Sequence, residues 1–162
     1  MKKAAGKAKK ILIVFMAVLM IVSLYQAPVE AATKCSTLAS AVKSSSSTAK
    51  KGMAKTSKKS KLTFVSSSYR KYASDFYYAT DSDQVYVVCI VRADSTSHAK
   101  KLLTKFNSTL SSQKNNSYLS SSQKKVVKAA QTGRSGKYVW YISVSSSSST
   151  NKKAVTKLKA KL

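Results

Sequence analysis

Two continuous apolar runs constrain the fold more than any other feature of this chain. Residues 85–92 read Val-Tyr-Val-Val-Cys-Ile-Val-Arg, and residues 137–144 read Lys-Tyr-Val-Trp-Tyr-Ile-Ser-Val. Both are rich in the β-branched and aromatic side chains that favour strands. A strand with one solvent-exposed face alternates apolar and polar residues, whereas a continuous apolar run indicates burial on both faces. The sequence therefore predicts two central strands.

Other segments indicate further strands and turns. Residues 75–80 include three consecutive aromatic side chains, and residues 81–84 read Asp-Ser-Asp-Gln, a composition typical of turns. We expect residues 75–80 and 85–92 to form a hairpin. Residues 62–65 read Leu-Thr-Phe-Val and indicate a short strand, whereas residues 133–136, which begin and end with glycine, indicate a turn.

Three segments show the three- and four-residue apolar spacing of amphipathic helices. The first runs from about residue 95 to residue 112, with Asp94 as its expected N-cap. The second follows the serines at 120–122, and the last begins at Thr150 or Asn151. The order strand, strand, helix, helix, strand, helix is typical of an α+β fold. We predict a small antiparallel or mixed sheet packed on one face by helices, as a two-layer sandwich.

The first 31 residues have the composition of a secretory signal peptide. Residues 1–10 carry five lysines and no acid, residues 11–24 are apolar except for Ser23, and Val29-Glu30-Ala31 offers small residues to a signal peptidase. The apolar run is shorter than the ~20 residues of a membrane-spanning helix. We therefore expect an exported protein that is secreted or associated with the cell envelope. The alternative is an uncleaved signal that stays as a membrane anchor.

The segment after the signal peptide has a different composition. Residues 32–61 are mainly Ala, Ser, Thr and Lys, with few large apolar side chains. Low hydrophobicity combined with high charge does not offset the entropy lost when a chain becomes ordered. The sequence therefore predicts a flexible basic linker over residues 32–61 and a single α+β domain over residues 62–162.

The charge is strongly unbalanced. The whole chain has 30 Lys and Arg against five Asp and Glu, a formal net charge of +25. Residues 1–31 contain five of the lysines and Glu30, so residues 32–162 keep 25 basic and four acidic side chains. Such a surface attracts polyanions. We predict an anionic cell-wall polymer or an anionic lipid surface as the partner, and nucleic acid stays open as an alternative.

Aromatic side chains concentrate on the predicted strands. On an open sheet face with cations at its edge, they could stack on sugars or bases. If one face is open, the expected binding residues are Tyr77 and Tyr141, with Arg92, Arg134 and Lys137 at the rim. The alternative is that these aromatic side chains form the core and its cover.

No motif identifies a catalytic site or a cofactor. His98 is the only histidine, and we expect it on the surface of a helix. Asp81 and Asp83 form an Asp-x-Asp pair, but a calcium site needs six or more oxygen ligands, and turn chemistry accounts for both residues. We predict no enzymatic activity, cofactor or metal. The alternative is a small exported enzyme or enzyme inhibitor with a site around His98 and the acids of residues 81–94.

Two cysteines, Cys35 and Cys89, lie outside the predicted signal peptide. An even number of cysteines in an exported protein permits a disulfide. Cys89 lies within an apolar run, where a cysteine usually acts as a small buried side chain. The sequence leaves both a Cys35–Cys89 disulfide and two free thiols open.

Several of these motifs together resemble a known family. They are Lys-Lys-Leu-Leu at 100–103, Gln-Lys-Lys-Val-Val-Lys-Ala-Ala at 123–130 and Gly-Lys-Tyr-Val-Trp-Tyr-Ile at 136–142. Over residues 64–162 the pattern is similar to the small exported proteins and lipoproteins of Gram-positive bacteria grouped as domain of unknown function 4358. The resemblance implies no catalytic residue. Members commonly carry a lipid-attachment cysteine after the signal, and Lys34 directly before Cys35 departs from that pattern.

Overall fold

The computed structural model describes residues 32–162, and the predicted signal peptide, residues 1–31, lies outside the described residues. Residues 33–162 form one compact unit. Its helices and strands, in chain order, are α1 (Cys35–Lys43), α2 (Ser47–Lys51), β1 (Ala54–Thr56), α3 (Ser67–Arg70), β2 (Ala73–Thr80), β3 (Val87–Ala93), α4 (Thr96–Lys114), α5 (Ser121–Ala129), β4 (Gln131–Ser135), β5 (Tyr138–Ser143) and α6 (Ser148–Lys159). A 3-10 turn, Lys59–Lys61, lies between β1 and α3.

The five strands form one antiparallel sheet in the order β1-β2-β3-β5-β4. The two continuous apolar runs become β3 and β5, which are neighbours in the interior of the sheet. The predicted hairpin is confirmed as β2 and β3, with Thr80 opposite Val87. Asp81 holds its turn, because the Asp81 Oδ1 accepts the backbone N–H of Val85 at 2.9 Å and of Tyr86 at 3.1 Å.

Strand β4 occupies part of the segment that we assigned to a turn. Gly133 pairs with Trp140 of β5, and a Cβ at this glycine would lie 2.6 Å from the indole ring. The glycine therefore permits a close approach between a backbone and a side chain. The chain reverses at Gly136, whose φ is +52°. The strand predicted at residues 62–65 is also wrong, because this segment is a loop that buries three apolar side chains.

Helices cover both faces of the sheet. We call them the α4/α5 face, against which α4 and α5 pack, and the α1/α6 face, against which α1, α2 and α6 pack. In β3, Val87, Cys89 and Val91 belong to the core of the α4/α5 face, and Val88 and Ile90 to the core of the α1/α6 face. The predicted α+β fold with helices packed on a small antiparallel sheet is confirmed. Its two-layer detail is wrong, because strands that are apolar on both faces need cover on both.

Much of the second helix layer comes from the segment that we predicted to be a linker. Cys35, Leu38, Ala39 and Val42 of α1 are fully buried, and α1 packs against α6, β2 and β3. Their three- and four-residue spacing places these side chains on one stripe of the helix. Burial of a leucine or valine side chain contributes about 1.5–3 kcal/mol, so a short stripe on an apolar sheet can order a polar segment. The linker prediction for residues 32–61 is therefore wrong, and the domain begins near Thr33.

Serine hydroxyls accept a backbone N–H at the start of three helices: Ser95 at α4, Ser120 at α5 and Ser147 at α6. At α5 this hydrogen bond is part of a capping box with Gln123. The cap predicted at Asp94 lies one residue too early. Thr150 and Asn151 lie inside the first turn of α6, and Asn151 is buried, where its side chain accepts the Val144 N–H at 2.9 Å.

Candidate functional site

The two tyrosines predicted to form an open aromatic face are both buried, and they lie on opposite faces of the sheet. Tyr77 is in the core of the α1/α6 face, and Tyr141 is in the core of the α4/α5 face, where its ring contacts Phe64 and Phe106. Burial raises the pKa of Tyr141. The Tyr141 hydroxyl donates a 2.5 Å hydrogen bond to Gln113 Oε1. The open stacking face is therefore not present, because helices cover both sides.

The three cations predicted at the rim of that face lie at one end of the sheet but do not share a face. Arg92 pairs with Tyr138, which packs on the α1/α6 face, and the Arg92 Nε donates to Ser74 Oγ at 3.2 Å. Arg134 pairs with Val139, whose side chain belongs to the α4/α5 face, and the Arg134 Nη1 donates to the Gly136 carbonyl at 2.7 Å. Lys137 is exposed in the turn between β4 and β5. Arg92 and Arg134 therefore lie on opposite faces of the sheet, and Lys137 lies in the turn beside them.

Each acid of the described part of the chain is held by a group other than lysine or arginine. Asp75 Oδ2 accepts the Cys35 N–H at 2.7 Å, and Asp81 holds the β2–β3 turn. Asp83 Oδ2 accepts from the Gln123 amide at 3.0 Å. The one ion pair among the described side chains joins Asp94 to His98. Here, therefore, the charges of lysine and arginine are not balanced by a carboxylate in contact.

Within the described residues, α1 and α6 form a basic surface to which neither helix contributes an acid. These helices pack against each other, and Lys157 Nζ donates to Ser44 Oγ at 3.0 Å where they meet. Neither helix contains an acid, and their buried stripes turn the lysines outward. All but the half-buried Lys43 are exposed. We call the following set the α1/α6 lysine surface: Lys34, Lys43, Lys152, Lys153, Lys157, Lys159 and Lys161.

His98 lies in the first turn of α4, partly exposed, as the sequence predicted. Its ring stacks on Tyr72 with the centroids 3.9 Å apart, and its Nδ1 lies 2.5 Å from Asp94 Oδ1. The hydrogen bond from His98 lowers the pKa of Asp94. An acid that orients a histidine is one part of a nucleophilic triad. In the described residues, no hydroxyl or thiol forms a hydrogen bond with the imidazole, so the pair lacks a positioned nucleophile.

The two cysteines are free and buried, and they lie on opposite faces of the sheet. Burial raises the pKa of both thiols, and the neighbouring Asp75 carboxylate raises that of Cys35 further. A thiol with a raised pKa is a poor nucleophile, because the thiolate is the reactive form. Of the two alternatives that the sequence left open, the structure has two free thiols.

Within residues 32–162, His, Cys, Asp and Glu side chains do not assemble into a group of three that could hold a metal ion. No helix over the same residues combines the length and apolarity that a membrane crossing requires. Comparisons of the chain with family models, with curated proteins and with solved structures find no match. The resemblance to domain of unknown function 4358 therefore stays a prediction, and the function is argued from the geometry of the domain.

Proposed function

We propose that this protein is an exported, non-enzymatic module that associates with anionic polymers or surfaces of the bacterial cell envelope. The observation that carries the proposal is the α1/α6 lysine surface. Its lysines come from two packed helices without an acid. Asp75 touches this layer, but it is half-buried and its carboxylate is held by the Cys35 N–H.

The physical reason is that the electrostatic attractions of many lysines to an anionic surface add up. Each exposed lysine near an anionic surface contributes about 1 kcal/mol, and the contribution decays within the Debye length of about 8 Å at physiological salt. A continuous group of lysines therefore binds a polyanion through several weak contacts at once. This mode needs neither a deep cavity nor a titratable cluster, and it is strongly salt-dependent.

The start of the domain supports a position close to the envelope. Tyr138 Oη donates to the Thr33 carbonyl at 2.6 Å, and the Thr33 hydroxyl donates to the Lys161 carbonyl at 3.1 Å. Eight residues, 25–32, separate the apolar run of the predicted signal from Thr33, and they span at most about 28 Å. If the signal is retained as an anchor, the domain would lie close to the lipid headgroups. If the signal is cleaved, an anionic wall polymer is the expected partner.

The other candidate functions have less support. The His98–Asp94 pair favours the enzyme alternative, but its imidazole lacks a positioned nucleophile in the described residues. Polynucleotide binding shares the charge argument. However, Tyr77 and Tyr141, which were predicted to stack on the bases, are buried and cannot contact a polynucleotide. A His98→Ala variant compared with the wild type in a substrate screen would test the first of these.

A binding experiment with charge-matched variants tests the proposal. Washed cell walls with and without their anionic polymer are incubated with the protein, and the bound fraction is measured across a salt series. The first variant replaces Lys152, Lys153, Lys157 and Lys159 of α6 by Gln. The control replaces exposed lysines of α4 and α5 by Gln: Lys100, Lys114, Lys125 and Lys128.

We expect at least a tenfold larger loss of affinity for the α6 variant than for the control, since both lose the same charge. The bound fraction should fall with salt and with removal of the anionic polymer. Equal losses in the two variants would show that net charge alone drives binding. Retention that is independent of salt would contradict the proposal.

A further inference from the structure

A shallow cleft lies beside β1 at the edge of the sheet. Its volume is about 400 Å³, within the range of small-molecule sites. Ala54 pairs with Thr80 and Thr56 with Tyr78, so these four side chains share one face of the sheet. Ala54 lines the cleft together with Lys61, at the end of the 3-10 turn, and Thr63, which follows it. Four of its seven lining residues carry a hydroxyl group: Thr56, Thr63, Tyr78 and Thr80.

The Tyr78 hydroxyl belongs to a buried side chain but has only long hydrogen bonds. The side chain is 3 % exposed, yet its Oη lies 3.4 Å from Thr63 Oγ1 and 3.5 Å from Gln84 Oε1. Hydrogen bonds between hydroxyl and oxygen prefer 2.5–3.0 Å, so neither contact satisfies the group fully. The buried Tyr141 hydroxyl, by contrast, has a 2.5 Å hydrogen bond. A buried polar group with weak partners at the wall of a cleft is a natural hydrogen-bond donor to a ligand.

The charges around the cleft favour an anion. Lys61 forms part of its wall, and Lys58 and Lys59 are exposed just before it in the chain. Lys55 borders the cleft through the edge strand, but its ammonium lies on the other face, 5.5 Å from the Tyr77 ring centroid. Asp81 Oδ1 lies 3.5 Å from the Thr80 hydroxyl, and it already accepts two backbone N–H groups at the turn.

We propose that this cleft binds one polyol phosphate diester unit of the glycerol phosphate type. The Lys61 ammonium and the Tyr78 hydroxyl would contact the phosphate, and the threonine hydroxyls would exchange hydrogen bonds with the polyol. The inference rests on the proposed function and deepens it: the lysine surface supplies attraction without chemical selectivity, and the cleft recognises the repeating unit. The same unit occurs in envelope polymers and in lipid headgroups, so the experiment has an arm for each source.

The first arm uses soluble probes and calorimetry. Oligo(glycerol phosphate) is titrated into the wild type and into Tyr78→Phe, and inorganic polyphosphate of matched charge serves as the probe without a polyol. Loss of a hydrogen bond to a charged group predicts about tenfold weaker binding of oligo(glycerol phosphate) to Tyr78→Phe. Polyphosphate lacks the polyol that the threonine hydroxyls would hold, so we expect it to bind the lysine surface and not the cleft, and its affinity should not change. Tyr141→Phe is the matched control, because it removes the same atom from a buried tyrosine outside the cleft.

The second arm locates the ligand and identifies its source. Amide resonances of Thr56 and Thr63 are followed by NMR during titration with glycerophosphoglycerol, a single unit that cannot span the lysine surface. Vesicles of phosphatidylglycerol are then compared with vesicles of phosphatidylserine, which carry the same charge without a glycerol headgroup. Thr63→Val, a change at an exposed wall residue, provides a second variant if Tyr78→Phe does not fold.

The outcomes separate the two proposals. A selective loss in Tyr78→Phe or Thr63→Val, with shifts at Thr56 and Thr63, supports the cleft, and the affected probe identifies polymer or lipid as the source. Unchanged binding of every glycerol phosphate probe by both variants overturns the cleft. If such binding is still salt-dependent and needs the α6 lysines, the proposed function survives. Wild-type protein that binds no anionic polymer or vesicle overturns the proposed function, whatever the single unit does at the cleft.

Discussion

The two helix layers carry similar numbers of lysines but are built from different sequences. The α4/α5 layer uses a long helix whose Leu102, Phe106 and Leu110 form a large apolar stripe. In the α1/α6 layer, the stripe of the nine-residue helix α1 consists of Cys35, Leu38, Ala39 and Val42. Large side chains make the first layer easy to recognise in the sequence. The second layer shows that small side chains are enough where the sheet beneath them is already apolar.

The layers also differ in the number and exposure of the acids that lie near their lysines. Asp94 lies just before α4, and Asp83 accepts a hydrogen bond from Gln123 of α5, so exposed acids lie at that layer. Among the described residues, the half-buried Asp75 is the only acid at the edge of the α1/α6 lysine surface. Similar numbers of lysines thus give surfaces with different local fields, and this difference is the basis of the proposed function.

Thiol reactivity is the strongest test of the α1/α6 layer. Both thiols are buried with raised pKa values, so we expect a thiol reagent at pH 8 to label neither in the native protein and both in denaturant. The rate should differ by at least about a hundredfold between the two conditions, since labelling requires opening of the structure. Rapid labelling of Cys35 alone in the native protein would indicate that residues 32–61 form a flexible linker and that α1 is not packed on the sheet.

Core truncations compare the layers quantitatively. Leu38 of α1 and Leu102 of α4 are both almost fully buried. We expect Leu38→Ala and Leu102→Ala each to lower the free energy of unfolding by about 2–5 kcal/mol, from lost burial and the cavity that remains. Chemical denaturation followed by circular dichroism measures both. If Leu102→Ala alone is destabilising, α1 does not contribute to the core.

Changes at the helix caps should have smaller effects on stability than the core truncations. Ser120 closes a capping box at α5, so Ser120→Ala should cost about 1 kcal/mol of stability. The N-cap of α1 is Lys34, whose side chain makes no capping hydrogen bond although its backbone is extended as a cap requires. Lys34→Ser should therefore stabilise the domain by about 0.5–1 kcal/mol. Thermal unfolding of both variants gives the comparison, and a destabilising Lys34→Ser would contradict the assigned start of α1.

The smallest effect concerns the exposed acid of the α4/α5 layer. The pKa of Asp94 lies below its ordinary value of 3.8, chiefly through its hydrogen bond with His98. A carboxyl with a lowered folded pKa stabilises the protein above its unfolded pKa, and this contribution disappears as the pH falls through the folded pKa. Asp94→Asn should therefore lower Tm slightly at pH 5, and the difference from the wild type should disappear once the pH is below the folded pKa. A difference in Tm that does not change with pH would exclude this linkage.

The central elements could be predicted because their signals are local and strong. The runs that become β3 and β5 are continuous, and the stripe of α4 repeats over several turns. Strand β4 was missed because Gly133 reads as a turn residue unless the indole of Trp140 is known to lie against it. The candidate cleft left no local signal either. Its residues come from 54–63 and from 78–80, and only pairing between β1 and β2 brings them together.

The sequence by itself determined the α+β class, the central strands, the hairpin and the excess of positive charge, because each depends on composition or on short-range periodicity. The tertiary structure alone decided that Tyr77 and Tyr141 are buried on opposite faces and that α1 completes a second layer. It also decided that the lysines of α1 and α6 form one surface, although more than a hundred residues separate Lys34 from Lys152. The physical reason is that burial depends on what covers a segment, and distant parts of the chain supply that cover.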